Sequence, residues 1–359
     1  MMRIRTDRAR IVSMTTLPAP RFLDPHDAPT LRWGIIGPGS IAGKFVDSLQ
    51  ANSDQVAVAA ASHSASRAKA FASRYGIERS YDSYVALLAD PDVDVAYIAT
   101  THNTHEELAL LAIEAGKPVL IEKPIATTAA GGQRIADAAR AAGVFAMEAM
   151  WTRYLPHIDV IRQLLETHAL GDVRIVTADF GIAVPFDVEH RLYNPTTAGG
   201  ALLDLGVYPV QFARLALPQL LTSATVHAYG TLARSGVDET ATLVIETDGD
   251  AQAILNCSVA IKTPTVGAIN GTAGRIVTGA PFHTAVDVTY FPEDGDPSTY
   301  RSPKWAHGPE SRGMAFEAAA FARYLTDGLT DSPLFGLNEA IASLRILDEA
   351  REQLGVQTG

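Results

Sequence analysis

Residues 199 to 212, GGALLDLGVYPVQF, place an acid and a phenol among apolar neighbours. Asp204 and Tyr208 lie four residues apart, a spacing that puts two side chains on one face of a helix. A carboxylate can hold a hydroxyl group and a phenol can give or take a proton, so the pair is suited to acid-base chemistry. The alternative is a buried tyrosine beside a capping aspartate. Pro209 lacks an amide hydrogen, so we expect it to kink the helix or to lie in its first turn.

A second pair of charged residues ends a predicted buried strand in VLIEKP. A buried charge such as that of Glu122 or Lys123 is expensive unless a partner or a function requires it, and a solvent-exposed strand end is the alternative. We therefore predict that Glu122 and Lys123 belong to a functional site at the end of this strand.

The strands and helices that position these residues are predicted to form two domains of different classes. Residues 31 to 150 alternate short apolar runs, such as VDVAYIAT, with amphipathic stretches, which predicts a doubly wound α/β domain with a parallel sheet. Residues 151 to 359 predict an α+β domain with a large open, mostly antiparallel sheet that has helices on one face only. We predict helices near residues 209 to 217, 313 to 328 and 337 to 354.

The first 30 residues are predicted to form an N-terminal tail, and Met14 is an alternative to Met1 as the start. This stretch has neither the apolar region of a secretion signal nor a paired-arginine motif. With one cysteine, Cys257, and no apolar run near the ~20 residues of a spanning helix, we expect a cytoplasmic protein without a membrane partner.

The composition also restricts the class of ligand. A formal net charge of −11 without a basic cluster argues against a nucleic-acid partner, so we expect a small molecule. His102 and His105 in IATTHNTHEE are candidates for metal ligands, but no Cys/His/Asp cluster supports them. We therefore predict no metal, and we expect both histidines to line a ligand groove or to cap the following helix.

A dinucleotide-binding motif opens the first domain. In WGIIGPGSIAGKF, Gly37, Gly39 and Ala42 have the G-x-G-x-x-A spacing between a strand and a helix, which allows a tight turn and close approach of a pyrophosphate. NAD-binding domains usually carry an acid about 20 residues further on. None occurs between Gln55 and Ile77, whereas Ser62, His63, Ser64 and Arg67 cluster there. Because these groups suit a 2′-phosphate, we predict NADP, with NAD as the alternative.

These motifs, taken together, resemble a known family. GIIGPGSIA, ATTHNTH, EKP, MEAMWTRYLP and GGALLDLGVYPVQF occur in the order found in the Gfo/Idh/MocA oxidoreductases. Within that family, EAMWTRYLP and the tyrosine at 208 are most similar to the branch of dimeric dihydrodiol dehydrogenases and NADP-dependent D-xylose dehydrogenases. Many relatives carry histidine in place of this tyrosine. The family arginine at the end of the second strand is replaced here by His63.

The resemblance implies a dehydrogenase that moves a hydride between a nicotinamide and a secondary alcohol of an aldose, a cyclic polyol or a trans-dihydrodiol. An anhydrosugar, glycoside or inositol dehydrogenase is an alternative, and a non-catalytic NAD(P)-binding regulator is an alternative of another class. The open sheet of the second domain implies a homodimer or a larger homo-oligomer. The glycines at 199 and 200 are expected to let the backbone approach the cofactor.

The resemblance also assigns roles to residues. Lys123 would stand beside the nicotinamide, Tyr208 would transfer the proton and Asp204 would hold a neighbouring substrate hydroxyl, while Glu122 would touch the cofactor ribose. These roles would bring Lys123 close to Tyr208, and an ammonium group favours the phenolate form of a tyrosine. We therefore predict that Lys123 lowers the pKa of Tyr208 below its ordinary value of ~10 and activates it for proton transfer. The predicted substrate-binding residues are Lys123, Trp151, Phe180, Arg191, Asp204 and Tyr208, and the loop residues Tyr193 and Asn194 are further candidates. The predicted cofactor-binding residues are Gly37, Gly39, Ser40, Ile41, Ala42, Ser62, His63, Arg67, Thr100, Thr101, Asn103, His105, Glu122, Lys123, Trp151 and Arg153.

Overall fold

Two β-sheets organise the protein. A computed structural model describes residues 17–21, 24–303 and 313–356 of the chain. The N-terminal sheet has six strands and the C-terminal sheet has eight. The predicted α/β class, with a doubly wound parallel sheet followed by a mostly antiparallel one, is confirmed. The domain boundary at residue 150 stays a prediction.

The N-terminal sheet is parallel throughout, and four of its six strands are short, almost completely buried segments rich in Ala, Val and Ile. Its strands are β1 (Arg32–Ile36), β2 (Val56–Ala61), β3 (Arg79–Tyr81), β4 (Val95–Ile98), β5 (Val119–Glu122) and β6 (Ala146–Ala149). Their order in the sheet is β3-β2-β1-β4-β5-β6. The direction of winding reverses between β1 and β4, which is where sheets of this type bind ligands at the carboxyl ends of their strands.

Helices connect these strands in the way that the apolar pattern predicts. They are α1 (Ser40–Asn52), α2 (Ala65–Tyr75), α3 (Tyr84–Leu88), α4 (His105–Glu114) and α5 (Ala129–Ala142). The turn from β1 to α1 requires a positive φ of 84° at Gly37, a conformation that favours glycine.

The C-terminal sheet is antiparallel except for one pair of strands. Its strands are β7 (Val173–Gly181), β8 (Thr225–Leu232), β9 (Asp238–Glu246), β10 (Gln252–Ser258), β11 (Gly267–Gly271), β12 (Gly274–Thr278), β13 (Val288–Pro292) and β14 (Ser298–Tyr300). Their order is β14-β13-β12-β11-β7-β10-β9-β8, and the parallel pair is β7 with β10. One face, which includes Val176, Leu243 and Leu255, is buried.

The opposite face of the C-terminal sheet is open. Ile175, Ile254 and Tyr229 share this face through the register of β7 to β10 to β9 to β8, and their exposed fractions are 37%, 41% and 66%. Among the described residues, no helix packs over these side chains. The prediction of an open sheet with helices on one side is confirmed.

Four further helices complete the described chain. They are α6 (Pro156–Glu166), α7 (Val207–Ala216), α8 (Met314–Thr326) and α9 (Leu337–Leu354). Helix α9 packs on both β8 and α5, and α8 packs on α1, so the two parts of the chain share a continuous core. No helix in residues 17–21, 24–303 and 313–356 has the length and apolar character needed to cross a bilayer.

The described part of the predicted N-terminal tail is packed on the folded protein. Arg21 donates hydrogen bonds to Asp159 at 2.8 Å and to Glu166 at 2.9 Å, both on α6. The helical turn Pro25–Asp27 contacts α8. Met14 lies outside the described residues.

The chain enters α7 through irregular backbone. A π-helical turn covers Leu202–Gly206, and α7 begins at Val207, so Pro209 lies in the first turn of the α-helix. The π-helical turn was not expected. Gly206 already has right-handed helical dihedral angles, so Pro209 follows an irregular turn that runs directly into the α-helix rather than a free helix start.

The two glycines before this turn have a role that differs from the predicted one. Gly200 has a φ of 121°, and a Cβ atom there would collide with the carboxylate of Asp238. A Cβ atom at Gly199 would lie 2.6 Å from the carbonyl oxygen of Arg191. Neither glycine lines the ligand cavity described below, so the expectation that they admit the cofactor is wrong. Gly200 makes room for the buried carboxylate of Asp238, which accepts the amide hydrogen of Leu202 at 2.5 Å, and Gly199 makes room for the carbonyl group of Arg191.

Candidate active site

A cavity of about 780 Å³ brings together the carboxyl edge of the parallel sheet and the start of α7. Most of the predicted site residues line it, although they come from eight separate segments of the chain. These residues are Gly37, Gly39, Ser40, Ile41, Ser62, His63, Arg67, Thr100, Thr101, His105, Glu122, Lys123, Trp151, Phe180, Arg191, Asp204 and Tyr208.

Three predicted cofactor residues do not line the cavity. Ala42 belongs to α1 and is completely buried, and its small side chain lets the helix pack on the sheet. Asn103 is exposed on the far side of the helical turn that carries His102. The buried guanidinium of Arg153 donates to the carbonyl oxygens of Gln211 at 3.2 Å and Leu334 at 3.3 Å. Successive residues of such a tight turn point in different directions, so Trp151 faces the cavity while Arg153 faces the core.

Lys123 lies at the end of β5 and joins the two parts of the chain. Its Nζ donates to the Asp204 carbonyl oxygen at 2.6 Å and to Asp204 Oδ1 at 3.3 Å. The same atom lies 5.0 Å from the ring centroid of Tyr208. Burial is the largest single effect and lowers the pKa of Lys123, but Asp204, Tyr208 and Glu122 together outweigh it. The net shift is therefore upward and the lysine is a cation.

Asp204 is surrounded by positively charged and polar groups. Arg191 donates to both of its carboxylate oxygens, at 2.9 and 3.3 Å, and His102 Nε2 lies 3.6 Å from Oδ1. Burial raises the pKa of Asp204, but Lys123 and Arg191 oppose this and hold it well below its usual range. The carboxylate is therefore ionised at every physiological pH.

Tyr208 is buried in an aromatic corner, and its ionisation differs from our prediction. The indole N–H of Trp151 donates to Tyr208 Oη at 3.1 Å. Burial raises the pKa of Tyr208 to about 12, because the downward effect of Lys123 offsets only part of the cost of a buried phenolate. The expectation that Lys123 brings this pKa below its ordinary value is therefore wrong. Lys123 limits a rise whose main cause is burial.

Glu122 lines the cavity but is already engaged with protein groups. Its Oε1 accepts from the hydroxyl of Tyr97 at 2.5 Å, and its Oε2 accepts from the backbone N–H of Lys123 at 3.1 Å. Burial raises the pKa of Glu122. A contact with the cofactor ribose stays a prediction.

The two histidines after β4 have structural partners. His105 is completely buried, and its Nδ1 lies 2.8 Å from the carbonyl oxygen of Pro124, directly after Lys123. His102 Nδ1 lies 3.3 Å from the carbonyl oxygen of Ala198, and burial lowers the pKa of His102 to about 3. The part of the chain that the structure describes contains no group of three or more His, Cys, Asp or Glu residues arranged to hold a metal ion.

The other end of the cavity fits a dinucleotide. Helix α1 begins at this end with Gly39 as its cap, and it has neither a side-chain cap nor an acidic residue in its first turn. Its amide groups therefore suit a pyrophosphate. A Cβ atom at Gly37 would lie 2.5 Å from the side chain of Thr100, so this turn admits only glycine. Ser62, His63 and Arg67 line the same end.

Several cavity residues were missing from the predicted set. Lys44 and Tyr84 join the dinucleotide end, where the Tyr84 and His63 rings lie 4.4 Å apart. Lys44, one turn into α1, is recognisable from the helical period after the glycine motif. Ser64, from the cluster that was predicted to suit a 2′-phosphate, and His102, which was expected to line a ligand groove, line the cavity as well. His283 comes from a loop more than 70 residues after Tyr208, and no sequence signal marks it.

Comparison with known proteins agrees with this geometry. Residues 31–150 match the family model described as oxidoreductase family, NAD-binding Rossmann fold, and residues 158–277 match the GFO/IDH/MocA C-terminal domain. The trans-1,2-dihydrobenzene-1,2-diol dehydrogenase of Bos taurus is 35% identical over 91% of this chain and 97% of its own length. The human enzyme of the same name is 34% identical with the same coverage.

Solved structures share the fold. A 3-ketoreductase from Actinomadura kijaniata, in complex with NADP and TDP-benzene, is 26% identical with a TM-score of 0.77, over 90% of this chain and 98% of that one. A levoglucosan dehydrogenase in complex with NADH and levoglucosan is 22% identical with a TM-score of 0.79, over 91% and 98%, and this likeness shows the fold alone. With both family models and relatives of this coverage, the chain belongs to the Gfo/Idh/MocA family of NAD(P)-dependent oxidoreductases.

Proposed function

We propose that this protein is an NADP-preferring dehydrogenase that acts on a secondary alcohol of a sugar or cyclic polyol, either a D-xylose-type aldose or a trans-dihydrodiol. One observation carries the proposal: the ammonium group of Lys123 lies between Asp204 and Tyr208 at one end of a cavity whose other end fits a dinucleotide. The names of the dihydrodiol dehydrogenase relatives agree with an alcohol substrate.

In this mechanism Tyr208 moves the proton. Trp151 donates to Tyr208 Oη, so the hydrogen of the phenol itself is left for a substrate oxygen. With a pKa near 12 the residue is a phenol at neutral pH, and it gives this proton to a carbonyl oxygen in reduction. In oxidation the same oxygen takes the proton of the substrate hydroxyl. A bound nicotinamide supplies or accepts the hydride.

Lys123 and Asp204 orient the substrate and balance charge. Two contacts to Asp204 fix the Lys123 ammonium group near the phenol ring, where its charge favours the phenolate that forms during oxidation. Asp204 is ionised and can accept a hydrogen bond from a hydroxyl next to the reacting carbon. Arg191 holds this carboxylate in place.

The preference for NADP rests on the charge of the dinucleotide end. Lys44 and Arg67 line it together with Ser62 and Ser64, and the acidic residues that line the cavity, Glu122 and Asp204, belong to the catalytic end. A 2′-phosphate carries about two negative charges and favours cations and hydroxyl donors. NAD remains the alternative cofactor.

We also infer a homodimer or a larger homo-oligomer. Ile175, Ile254 and Tyr229 give the open face of the C-terminal sheet an apolar centre, and such a face normally finds a partner. The cytoplasmic location and the absence of a nucleic-acid partner stay predictions.

A substrate panel tests the proposed function. Purified enzyme is mixed with NADP⁺ or NAD⁺ and with aldoses, inositols, glycosides, an anhydrosugar and trans-dihydrodiols, and the absorbance of the reduced nicotinamide is followed. We expect turnover of an aldose or a dihydrodiol. Turnover of an anhydrosugar, a glycoside or an inositol alone would instead favour the alternative dehydrogenases. Tight cofactor binding without turnover of any substrate would favour a regulator on the same fold.

A further inference from the structure

His283 occupies a position in the cavity that the mechanism above does not use. Its ring stacks on Phe180 with centroids 4.2 Å apart and an angle of 19° between the planes. The Tyr208 ring lies 5.0 Å away and the Trp151 ring 6.1 Å away. The four rings form an aromatic wall beside the proton-carrying tyrosine.

The backbone of His283 is held firmly. Thr152 Oγ1 donates to the His283 carbonyl oxygen at 2.8 Å. The preceding residue, Phe282, is completely buried against Phe212, with centroids 5.3 Å apart, and its N–H donates to the carbonyl oxygen of Thr265 at 2.9 Å. A ring presented on such an anchored loop needs little ordering when a ligand arrives.

The imidazole is neutral and has an unused hydrogen-bonding group. Burial, with a smaller effect of Lys123, lowers the pKa of His283 to about 3. Neither ring nitrogen is bonded to another described residue, and Nδ1 is fully buried without a partner. Since Nε2 is not among the buried unpaired atoms, it is the nitrogen that reaches the cavity. A neutral imidazole nitrogen donates or accepts a hydrogen bond, depending on the tautomer.

We propose that His283 is a specificity-determining residue that binds a ring hydroxyl of the substrate, so that the substrate is a polyhydroxylated sugar ring rather than an aromatic dihydrodiol. This rests on the proposed function. The flat faces of Phe180 and Trp151 suit the C–H face of a sugar ring, while Nε2 of His283 meets a hydroxyl at its edge. The hydrocarbon part of a dihydrodiol ring would leave that nitrogen unpaired, and sites with unpaired polar groups discriminate against such ligands.

The experiment compares wild type with His283→Phe, which keeps an aromatic ring and removes both nitrogens. The probes are D-xylose and trans-1,2-dihydrobenzene-1,2-diol, each with NADP⁺. We expect His283→Phe to lower kcat/KM for D-xylose by about 3- to 10-fold, the usual effect of losing one neutral hydrogen bond, and to maintain or raise it for the dihydrodiol. His283→Asn should keep more of the activity on D-xylose than His283→Phe. The dissociation constant of NADPH should not change.

His26→Phe, a substitution at an exposed histidine outside the cavity, is the matched control and should leave both values unchanged. An unchanged ratio of the two kcat/KM values in His283→Phe, with an active wild type, would overturn the role of His283 but not the proposed function. A wild type that oxidises no aldose and no trans-dihydrodiol of the substrate panel with either cofactor would overturn both. If circular dichroism shows that His283→Phe is unfolded, His283→Asn takes its place in the experiment. Parallel losses of kcat/KM on both probes in this variant would refute the inference.

Discussion

The Trp151 indole donates a hydrogen bond to the Tyr208 hydroxyl oxygen, with 3.1 Å between the two heavy atoms. An indole N–H has no acceptor atom, so the direction of this bond is fixed. The tyrosine hydrogen must therefore point to another acceptor, and the cavity is the side from which a substrate oxygen arrives. The pair sets both the position of the proton and the direction in which it leaves.

The first prediction concerns the pH dependence of the reaction. Because burial raises the pKa of Tyr208 to about 12, the phenol predominates at neutral pH and the phenolate fraction grows as the pH rises. We expect kcat/KM for alcohol oxidation to increase from pH 7 to 10 without a plateau, while kcat/KM for carbonyl reduction stays nearly flat. Stopped-flow or steady-state rates in both directions measure this.

Tyr208→Phe tests whether Tyr208 causes this dependence of kcat/KM on pH. The variant should lose roughly 10² to 10⁴ in kcat and should lose the rise with pH, with unchanged NADPH binding. Lys123→Met removes the cation that opposes the upward shift, so its surviving oxidation should need a still higher pH. Near-normal turnover by Tyr208→Phe would show that the proton moves through another group.

The chemistry of the site around Lys123, Asp204 and Tyr208 was predictable from the sequence only in part. The four-residue spacing of Asp204 and Tyr208 predicted a shared helical face, and the family resemblance, through the EKP motif, placed Lys123 beside them. The pKa of Tyr208 was predicted in the wrong direction, since the sequence shows the nearby charge but not the depth of burial. His283 was missed because only tertiary packing of its loop brings it to the cavity.

The second prediction concerns cofactor choice. Arg67 lines the dinucleotide end and is exposed, so it can pair with a 2′-phosphate without displacing another partner among the described residues. We expect Arg67→Ala to raise KM for NADP⁺ about tenfold and to change KM for NAD⁺ little.

Arg74→Ala is the control, because Arg74 belongs to the same helix, α2, and lies over the ring of Tyr75 outside the cavity. It should leave both Michaelis constants unchanged. A wild type that uses NAD⁺ as well as NADP⁺, or an Arg67→Ala variant that loses both equally, would contradict the assignment of this end to the 2′-phosphate.

The third prediction concerns Gly200, whose φ of 121° and contact with Asp238 leave no space for a side chain. Asp238 holds the amide of Leu202, at the start of the π-helical turn that carries Asp204. Gly200→Ala should lower the free energy of unfolding by roughly 2 to 4 kcal/mol, from backbone strain and displacement of this carboxylate. It should also reduce kcat.

Gly76→Ala is the control that separates the cost of backbone strain from the effect of displacing the Asp238 carboxylate. Gly76 also has a positive φ, 66°, but a Cβ atom there would meet nothing within 4 Å. It should cost only about 1 kcal/mol and leave kcat unchanged. Chemical denaturation with activity assays measures both effects. Equal losses in the two variants would show that Asp238 does not position the catalytic turn.

Most of the fold was predictable because buried positions appear in the sequence as apolar residues at the regular spacings of strands and helices. The parallel strands read as continuous apolar runs, and α9 was predicted as residues 337 to 354, which agrees with Leu337–Leu354. The π-helical turn at Leu202–Gly206 was not predicted, and its first amide, that of Leu202, donates to Asp238, 36 residues away in sequence, a contact that no local pattern shows. The packing of Arg21 on α6 was missed for the same reason: its partners are distant in the chain.

The last prediction concerns assembly. Ile254 lies near the centre of the open face of the C-terminal sheet, with Val244 opposite it on β9 and Thr177 opposite it on β7. If two copies associate through this face, Ile254→Lys places two charges in an apolar interface, and the cost of desolvating them should favour the monomer. We expect wild type to be a dimer or larger at micromolar concentration and Ile254→Lys to be mainly monomeric in light scattering after size exclusion. Val85→Lys, at a similarly exposed apolar residue on α3, should leave the assembly unchanged. A monodisperse monomer for wild type would contradict association through this sheet.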